Sequence, residues 1–511
     1  MTDTDASDSQ ARIVDRDFLA LPLHELAGAA LERARRTGAS HAEIRVERTR
    51  QIDARARDHS LEGASEQESA GLSVRVLHDG TWGFAATTDL TTAAAARAAT
   101  DAVDVARTST SLRTERIELV SEPVYPSGTW VSSYDVNPFD IAPAERSALL
   151  LHWTSTLLAD ARVDHADAAV LAYQEDKFYA DLAGTTTVQE RVRVHPTATA
   201  VAVNQETGEF DTMRTLAPPS GRGWEYLTGT GWDWDAELRT LPELLAEKIA
   251  APSVDAGTYD LVIDPSNLWL TIHESIGHAT ELDRALGYEA AYAGTSFATF
   301  DHLGTLRYGS PVMHVTGDRT VKHGLATVGW DDEGVAAQSW DLIRDGILVG
   351  YQLDRRMAAR QGFDRSNGCA FADSSRHVPL QRMANVSLQP APGGPTTDEL
   401  IGGVREGIYV LGDKSWSIDM QRYNFQFTGQ RFYRIRDGRL SGQLRDVAYQ
   451  GVTTEFWGSM EAVGGESTYV LGGAFNCGKG QPGQVAPVSH GCPAVLLRQV
   501  RVLNTTREAG R

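Results

Sequence analysis

Hydrophobic positions between Leu23 and Thr37 recur at intervals of three and four, a spacing that predicts an amphipathic helix ending before Gly38. Alternating apolar and polar residues then predict strands, joined by a turn at His78-Asp79-Gly80. These strands are 42–46, 71–77 and 81–86. An alanine-rich helix over 90–106 completes a first helix, strands, helix unit.

The same order of elements recurs further along the chain. A second helix is predicted over 142–161 and a closing helix near 241–250. Between them lie strands at 168–181 and 187–204. We therefore interpret residues 1–252 as one N-terminal α/β domain made of two related helix-strands-helix halves, with residues 1–16 disordered.

The pattern changes at Ala251-Pro252-Ser253, where we place the domain boundary. Residues 253–511 read as short strands and turns, with Asp-Gly pairs typical of hairpins. The predicted strands are 259–263, 312–315, 324–328, 342–351 and 427–435. The expected fold class is α+β, with a β-rich C-terminal domain that also carries one notable helix.

That helix begins after Asp264-Pro265-Ser266, where aspartate or serine can cap it and proline fits its first turn. Its second half contains His273, Glu274 and His278. Neutral imidazole is the commonest transition-metal ligand, and a carboxylate beside the first histidine is placed to accept a proton from an attacking water. The segment points to metal-dependent hydrolysis.

The spacing of His273 and His278 is i, i+5, one residue longer than in the familiar H-E-x-x-H. On a regular α-helix the two imidazoles would point about 140° apart. A π-type turn, or helix termination at His278, would bring them together, and Gly277 is a suitable place for the distortion. Two unrelated surface histidines are the alternative.

A third ligand is expected, because catalytic zinc usually has three protein ligands. The chain has three cysteines, too few for a disulfide framework and typical of a reducing compartment. Cys477 lies in a glycine-rich segment whose backbone can approach another element closely, and Lys479 would favour its thiolate. A cysteine in an ordinary glycine-rich turn, or Cys492 as the ligand, remains an alternative.

Composition narrows the function further. The formal net charge of -20 argues against a nucleic-acid partner, which would require a basic face. We find neither a secretory signal nor an apolar run long enough to span a membrane, so the expected location is cytoplasmic. The acidic run Asp331-Asp332-Glu333 could bind a cation through its oxygens, but a solvated turn is the favoured interpretation.

Together these segments resemble the TldD/PmbA peptidases, whose active TldD branch carries H-E-x-x-x-H and a distant cysteine ligand. Further segments follow the family's order from about residue 220 onward. They are Gly221-Arg222-Gly223, Gly294-Thr295-Ser296, 331–334, Asn367-Gly368, 379–385, 406–410 and Cys477-Gly478-Lys479. The segment 279–293 is longer than its family counterpart, and Cys369-Ala370-Phe371 stands where arginines are expected.

The resemblance implies zinc bound by His273, His278 and Cys477, with Glu274 as the catalytic carboxylate. It also implies a peptidase acting on peptides or unfolded polypeptide segments, including maturation of modified-peptide precursors. The expected partner is a paralogous TldD/PmbA-family subunit in a heterodimer, with a homodimer as the alternative. The main rival function is a non-catalytic peptide-binding or regulatory subunit, because the PmbA branch lacks the metal motif.

Overall fold

The computed structural model describes residues 13–203, 208, 210–480 and 483–508. Most of the predicted disordered segment, residues 1–12, therefore lies outside the described residues. Residues 13–16 are ordered, because Val14 is buried and the Asp15 carboxylate caps the first helix. Among the helices of the described residues, none combines the length and hydropathy needed to cross a bilayer.

The N-terminal region forms one seven-stranded sheet with helices packed on it. Its elements are α1 (Arg16–Leu19), α2 (Leu23–Arg36), β1 (His41–Arg57), β2 (Ser60–His78), β3 (Thr81–Thr87), α3 (Thr92–Ser109), β4 (Gly128–Val131), α4 (Pro143–Leu158), β5 (His165–Asp181), β6 (Thr186–Val203), β7 (Phe210–Arg214) and α5 (Trp234–Ala250). The strand order is β3-β2-β1-β5-β6, with β4 and β7 both pairing with β6. The two predicted helix-strands-helix halves meet at the antiparallel pair β1 and β5.

The C-terminal region is β-rich, as predicted, and the α+β class is confirmed. Its elements are β8 (Gly257–Ile263), α6 (Pro265–Ile272), α7 (Leu282–Ala285), β9 (Val315–Asp318), β10 (Ser339–Arg344), β11 (Ile347–Leu348), α8 (Arg355–Arg360), β12 (Ala370–Phe371), β13 (Leu380–Gln381), β14 (Asn385–Leu388), α9 (Thr397–Gly402), β15 (Glu406–Ile418), β16 (Asn424–Arg436), β17 (Arg439–Leu444), β18 (Val447–Val452), α10 (Thr453–Gly458), β19 (Met460–Val463), β20 (Val470–Lys479), β21 (Gln484–Cys492), β22 (Val495–Asn504) and α11 (Thr505–Glu508). The strand predicted over 324–328 is wrong, since that segment consists of turns.

The largest C-terminal sheet closes on itself. Its strands run β15-β8-β22-β18-β16, and β16 pairs again with β15. Helix α6 leaves the end of β8 and stays close to this ring of strands. The side-chain amide of Asn267 donates to the carbonyls of Gly412 and Thr428 at 2.9 and 3.0 Å. The candidate metal-binding helix therefore rests on a closed, rigid support.

A buried layer of charge joins the N-terminal sheet to the C-terminal region. Lys177 on β5 contacts the Asp332 carboxylate at 2.8 Å, and Arg45 on β1 lies 3.4 Å from it. Arg75 on β2 contacts Glu333 at 2.8 Å. The interpretation of residues 331–333 as a solvated turn is wrong, because all three side chains are buried. Cations on the facing strands pair with Asp332 and Glu333, whereas Asp331 accepts hydrogen bonds from backbone N–H groups.

Candidate metal centre

A π-helical turn places the two predicted histidines on the same side of the chain. Helix α6 ends at Ile272, and residues His273–Gly277 continue as a π-turn. The backbone N–H of His278 donates to the carbonyl of His273, five residues earlier. The extra residue turns His278 back toward His273, and their ring centroids lie 4.7 Å apart. The distortion predicted from the i, i+5 spacing is present.

Buried side chains satisfy the carbonyls near this distortion. Tyr308 donates its hydroxyl proton to the carbonyl of Ser275, and Gln352 donates to that of Gly277 at 2.7 Å. The Thr280 hydroxyl donates to the carbonyl of Ile276 at 2.9 Å. An unpaired buried carbonyl would cost about 1–3 kcal/mol, so these partners stabilise the π-turn. The irregular backbone is therefore supported from several directions.

Gly277 has helical backbone angles, with φ -53° and ψ -59°, so the turn does not need a glycine for its conformation. A glycine fits here because a larger residue would have no space. A Cβ at this position would lie 2.5 Å from Sδ of Met383 and 3.5 Å from Cε1 of His490. Gly277 lies in the distorted turn, as predicted, but its role is to let neighbouring side chains approach that turn.

The third predicted ligand comes from the β20–β21 hairpin. Cys477 lies within β20, paired with Ala486 on β21, so the glycine-rich segment is a strand. A Cβ at Gly472 would lie 2.8 Å from Trp269 on α6, so this glycine permits the close approach predicted from the sequence. Phe475 is also buried, with its ring 5.7 Å from that of Tyr173 on β5.

The ligand atoms of His273, His278 and Cys477 lie within 4.8 Å of one another, and all three side chains are buried. Nε2 of His278 is 3.6 Å from Sγ of Cys477. A tetrahedral zinc about 2.0 Å from nitrogen and about 2.3 Å from sulfur would separate two such ligands by about 3.5 Å. The donor set and this spacing fit a metal ion.

Hydrogen bonds on the far side of each imidazole fix which nitrogen faces the cluster. Nδ1 of His278 lies 2.8 Å from the Glu281 carboxylate, an acceptor, so Nδ1 carries the proton and Nε2 is free to bind. Nδ1 of His490 lies 2.8 Å from the Val386 carbonyl, so its Nε2 accepts the proton of His273 Nδ1 at 2.7 Å. These tautomers are assigned from the hydrogen-bond partners.

The protonation states also favour ligation. Burial lowers the pKa of His273 and keeps its ring neutral. Burial opposes ionisation of Cys477, but its interactions with His278 and Arg382 outweigh burial and lower the pKa of the thiol. Arg382 also donates to the Cys477 carbonyl at 2.6 Å. The proposed influence of Lys479 on this thiol is wrong, because its ammonium group pairs with carboxylates instead.

Those carboxylates belong to the segment 279–293. Lys479 lies 3.1 Å from Glu281, 2.9 Å from Asp283 and 3.2 Å from Glu289. The ammonium group holds the Glu281 carboxylate while its other oxygen contacts His278. This segment therefore orients one of the candidate metal ligands.

Glu274 lies in the same buried site, between the cluster and Arg422. Its Oε2 accepts a hydrogen bond from Nη1 of Arg422 at 2.7 Å. Burial would raise the pKa of Glu274, but its interactions with His273, His278 and Arg422 lower it below its ordinary value. Glu274 is therefore ionised at neutral pH, the form in which a carboxylate can accept a proton.

The other two cysteines lie outside the cluster. Sγ of Cys492 is 3.8 Å from the Pro265 carbonyl, and burial raises the pKa of this thiol well above its ordinary value. Burial likewise raises the pKa of Cys369 to about 12. Neither thiol is prepared to ionise. Of the cysteines, the structure brings Cys477 alone to the two histidines.

Sequence reasoning missed three contributors to this site: Glu281, Arg422 and His490. Glu281 follows His278 by three residues, a spacing that could have suggested contact on a helical turn. His490 lies 217 residues from its partner His273, and Arg422 lies 148 residues from Glu274. No local pattern links residues at such separations.

A cavity of about 490 Å³ lies beside the cluster and shares Lys479 with its supporting network. Trp82, Tyr288 and Tyr292 form aromatic walls, and Asp283 and Glu289 also line it. A larger cavity of about 780 Å³ lies between α5 and the β16–β17 hairpin. None of the candidate ligands lines either cavity. The smaller one reaches only the network that supports His278, through Asp283, Glu289 and Lys479.

Comparison with known proteins identifies the same family. The PmbA/TldA metallopeptidase C-terminal domain matches residues 256–504, and PmbA/TldA metallopeptidase domain 1 matches residues 42–106. A metalloprotease of Methanothermobacter thermautotrophicus is 28% identical over 475 residues, covering 91% of this chain and 96% of the relative. A zinc metalloprotease TldD homolog of Saccharolobus solfataricus is 26% identical over 272 residues, or 53% of this chain and 57% of the relative.

Solved structures share the fold. TldE from Thermococcus kodakarensis superposes with a TM-score of 0.69 at 17% identity, covering 93% of this chain and 99% of that chain. A proposed modulator of DNA gyrase from Bacteroides thetaiotaomicron gives a TM-score of 0.72 at 16% identity, with coverage of 94% and 98%. At this level of identity the likeness concerns the fold alone.

The fold and site together define an α+β protein of the metallopeptidase class, with a buried His, His, Cys cluster that fits a metal ion. The chain belongs to the TldD/PmbA family.

Proposed function

We propose that this protein is a zinc-dependent peptidase with His273, His278 and Cys477 as metal ligands and Glu274 as the catalytic carboxylate. One observation carries the proposal. The three ligand atoms converge within 4.8 Å, and ionised Glu274 immediately follows the first ligand in the same π-turn. A thiolate with two imidazoles suits zinc better than magnesium or calcium, which prefer oxygen ligands.

A bound zinc would act as a Lewis acid on the scissile carbonyl and on the attacking water. Glu274 accepts a proton from that water as its oxygen bonds to the carbonyl carbon. Glu274 then returns the proton to the leaving nitrogen as the carbon–nitrogen bond breaks. The surrounding side chains exclude bulk water, since Glu274 is only 5% exposed.

The hairpin that carries Cys477 supports an extended peptide as substrate. Among the strands of the described residues, β20 pairs with β21 alone, so its other edge has no strand partner, and we propose that a peptide adds there. A peptide bound in this way is held through its backbone, which is common to every sequence. We therefore propose weak sequence selectivity, with peptides, unfolded segments and modified-peptide precursors as substrates.

Exposed apolar side chains near the site support a partner subunit. Trp416 and Met420 are 54% and 56% exposed. Met420 lies two residues before Arg422, the turn residue that contacts Glu274. Its carbonyl accepts a hydrogen bond from the backbone N–H of Thr295. We propose that a paralogous TldD/PmbA subunit covers the surface around Trp416 and Met420 in a heterodimer, with a homodimer as the alternative.

Three free thiols support a reducing cytoplasmic location.

The decisive variant is Glu274→Gln, because a carboxamide cannot accept the proton while the three ligands stay intact. We expect stoichiometric zinc and a loss of kcat of about 10²- to 10⁴-fold on an unfolded protein substrate. Glu47→Gln is a matched control, since Glu47 is also buried but lies in the charged layer between the two regions. That variant should retain activity.

The assay should compare folded and denatured forms of one substrate, with and without a co-expressed paralogous subunit. Cleavage of the denatured form and resistance of the folded form would support the extended-peptide proposal. Glu274→Gln activity near wild type would exclude Glu274 as the base. Wild-type protein that binds no metal would instead favour the non-catalytic subunit.

A further inference from the structure

Arg422 has an unusual backbone. It lies in the turn between β15 and β16 with φ 63°, in the left-handed region that a long side chain rarely adopts. Five of the other non-glycine residues with positive φ are aspartates, which tolerate this region better. Nothing in the chemistry of arginine favours the conformation. The surroundings must therefore impose it.

Asp419 imposes the conformation from within the turn. Its carboxylate accepts four hydrogen bonds of 2.6–3.0 Å, from the backbone of Gln421, Tyr423 and Asn424 and from the Asn424 side chain. The Thr453 hydroxyl donates to the Arg422 carbonyl at 2.8 Å. Arg422 is thus held in place at both its own backbone and the flanking residues.

The side chain of Arg422 is directed to one acceptor in the site. Nη1 donates to Oε2 of Glu274 at 2.7 Å, whereas the contact of Nη2 with the Ala293 carbonyl is long, at 3.4 Å. Nε is buried and has no acceptor among the described residues. A strained backbone and an unsatisfied donor both oppose stability. The presence of an arginine at this strained position is explained by its hydrogen bond to Glu274.

We propose that Arg422 is a positioning residue for Glu274, an inference that rests on the proposed function. The fixed turn sets where the guanidinium lies, and the guanidinium holds Oε2 in one orientation. Oε1 accepts no hydrogen bond from the described residues and stays available for the transferred proton. The left-handed turn at Arg422 is therefore part of the catalytic geometry.

Two substitutions at this position distinguish the effect of the side chain from the effect of the backbone conformation. Arg422→Gly removes the guanidinium and suits the left-handed conformation, whereas Arg422→Ala removes the guanidinium and retains the strain. We expect both variants to lose about 10²-fold in kcat with little change in KM and full metal content. Arg422→Gly should have the higher Tm of the two, and added guanidinium should restore part of its kcat.

Gln499→Gly is the matched control, because Gln499 is an exposed left-handed residue, with φ 56°, that hydrogen-bonds to Asp260 rather than to the site. This variant should keep kcat. A wild-type enzyme that is active while Arg422→Gly retains its kcat overturns this inference alone. Loss of metal, or a change confined to KM, overturns it as well. A wild-type enzyme that is inactive on every peptide overturns the proposed function and this inference with it.

Discussion

Two buried polar clusters in the C-terminal region both offer metal-ligand residue types in the sequence, but they differ in structure. Asp331, Asp332 and Glu333 accept hydrogen bonds from lysine, arginine and backbone N–H groups, so donors surround their oxygens. In the other cluster, Sγ of Cys477 lies 3.6 Å from Nε2 of His278, and the hydrogen bonds of the histidines lie on their outer nitrogens. Acceptors surrounded by donors indicate a structural ion network, whereas converging ligand atoms without such donors fit a metal ion.

The difference arises from what faces each cluster. Strands β1, β2 and β5 present Arg45, Arg75 and Lys177 to the carboxylates. The histidines receive their partners on their outer nitrogens, from Glu281 and His490, and this leaves the inner nitrogens unprotonated. Counting acidic or imidazole groups in the sequence cannot separate the two cases. The direction of the neighbouring donors can.

The largest expected effect comes from removing the thiolate. Cys477→Ser should lose the metal and abolish hydrolysis, because a neutral hydroxyl binds zinc far less well than a thiolate. Metal content of the purified protein and peptidase activity measure both losses. Cys492→Ser and Cys369→Ser are buried cysteine controls that should keep metal and activity. Equal metal loss in the Cys492 variant would move the ligand there.

The second prediction concerns the cluster of Asp331, Asp332 and Glu333. Asp332→Asn leaves Lys177 and Arg45 buried without their shared carboxylate, which should lower the free energy of unfolding by roughly 3–5 kcal/mol. The folded variant should still bind one metal. Thermal unfolding and metal analysis measure the two properties. Glu32→Gln, which breaks an exposed pair with Arg36, should change stability by less than about 1 kcal/mol.

A smaller effect, on metal affinity, is expected from changing Glu281, the residue that supports His278. Glu281→Gln removes the charged acceptor of Nδ1 and should weaken metal affinity by about 10- to 100-fold. Competition with a chelator gives the affinity. Asp283→Asn is the matched control, since Asp283 contacts the same Lys479 but makes no hydrogen bond with either histidine. If both variants lose affinity equally, Glu281 has no specific role in orienting His278.

The sequence predicted the local part of this site well. The i, i+5 histidines predicted either a π-turn or helix termination at His278, and the π-turn is present. Such a prediction is possible because helical spacing constrains residues so close together. The strand boundaries were less predictable. Residues 60–69 of β2 are exposed and polar, so their strand depends on pairing with β1 and leaves no hydrophobic alternation to detect.

Long-range contacts could not be predicted from the pattern. Asp332 is buried by cations 155 and 287 residues away, and nothing near residue 332 indicates their approach. The same holds for His490 and Arg422, which reach the site from distant strands and turns. The fold decides whether an acidic run is solvated, paired or catalytic.

X-ray absorption at the zinc edge tests the central claim most directly. The account predicts one sulfur ligand at about 2.3 Å and imidazole nitrogens at about 2.0–2.1 Å in the wild-type protein. In Cys477→Ser the sulfur shell should disappear, whereas in Cys492→Ser it should remain. A wild-type shell of nitrogen and oxygen alone would contradict the assignment of Cys477 as a metal ligand.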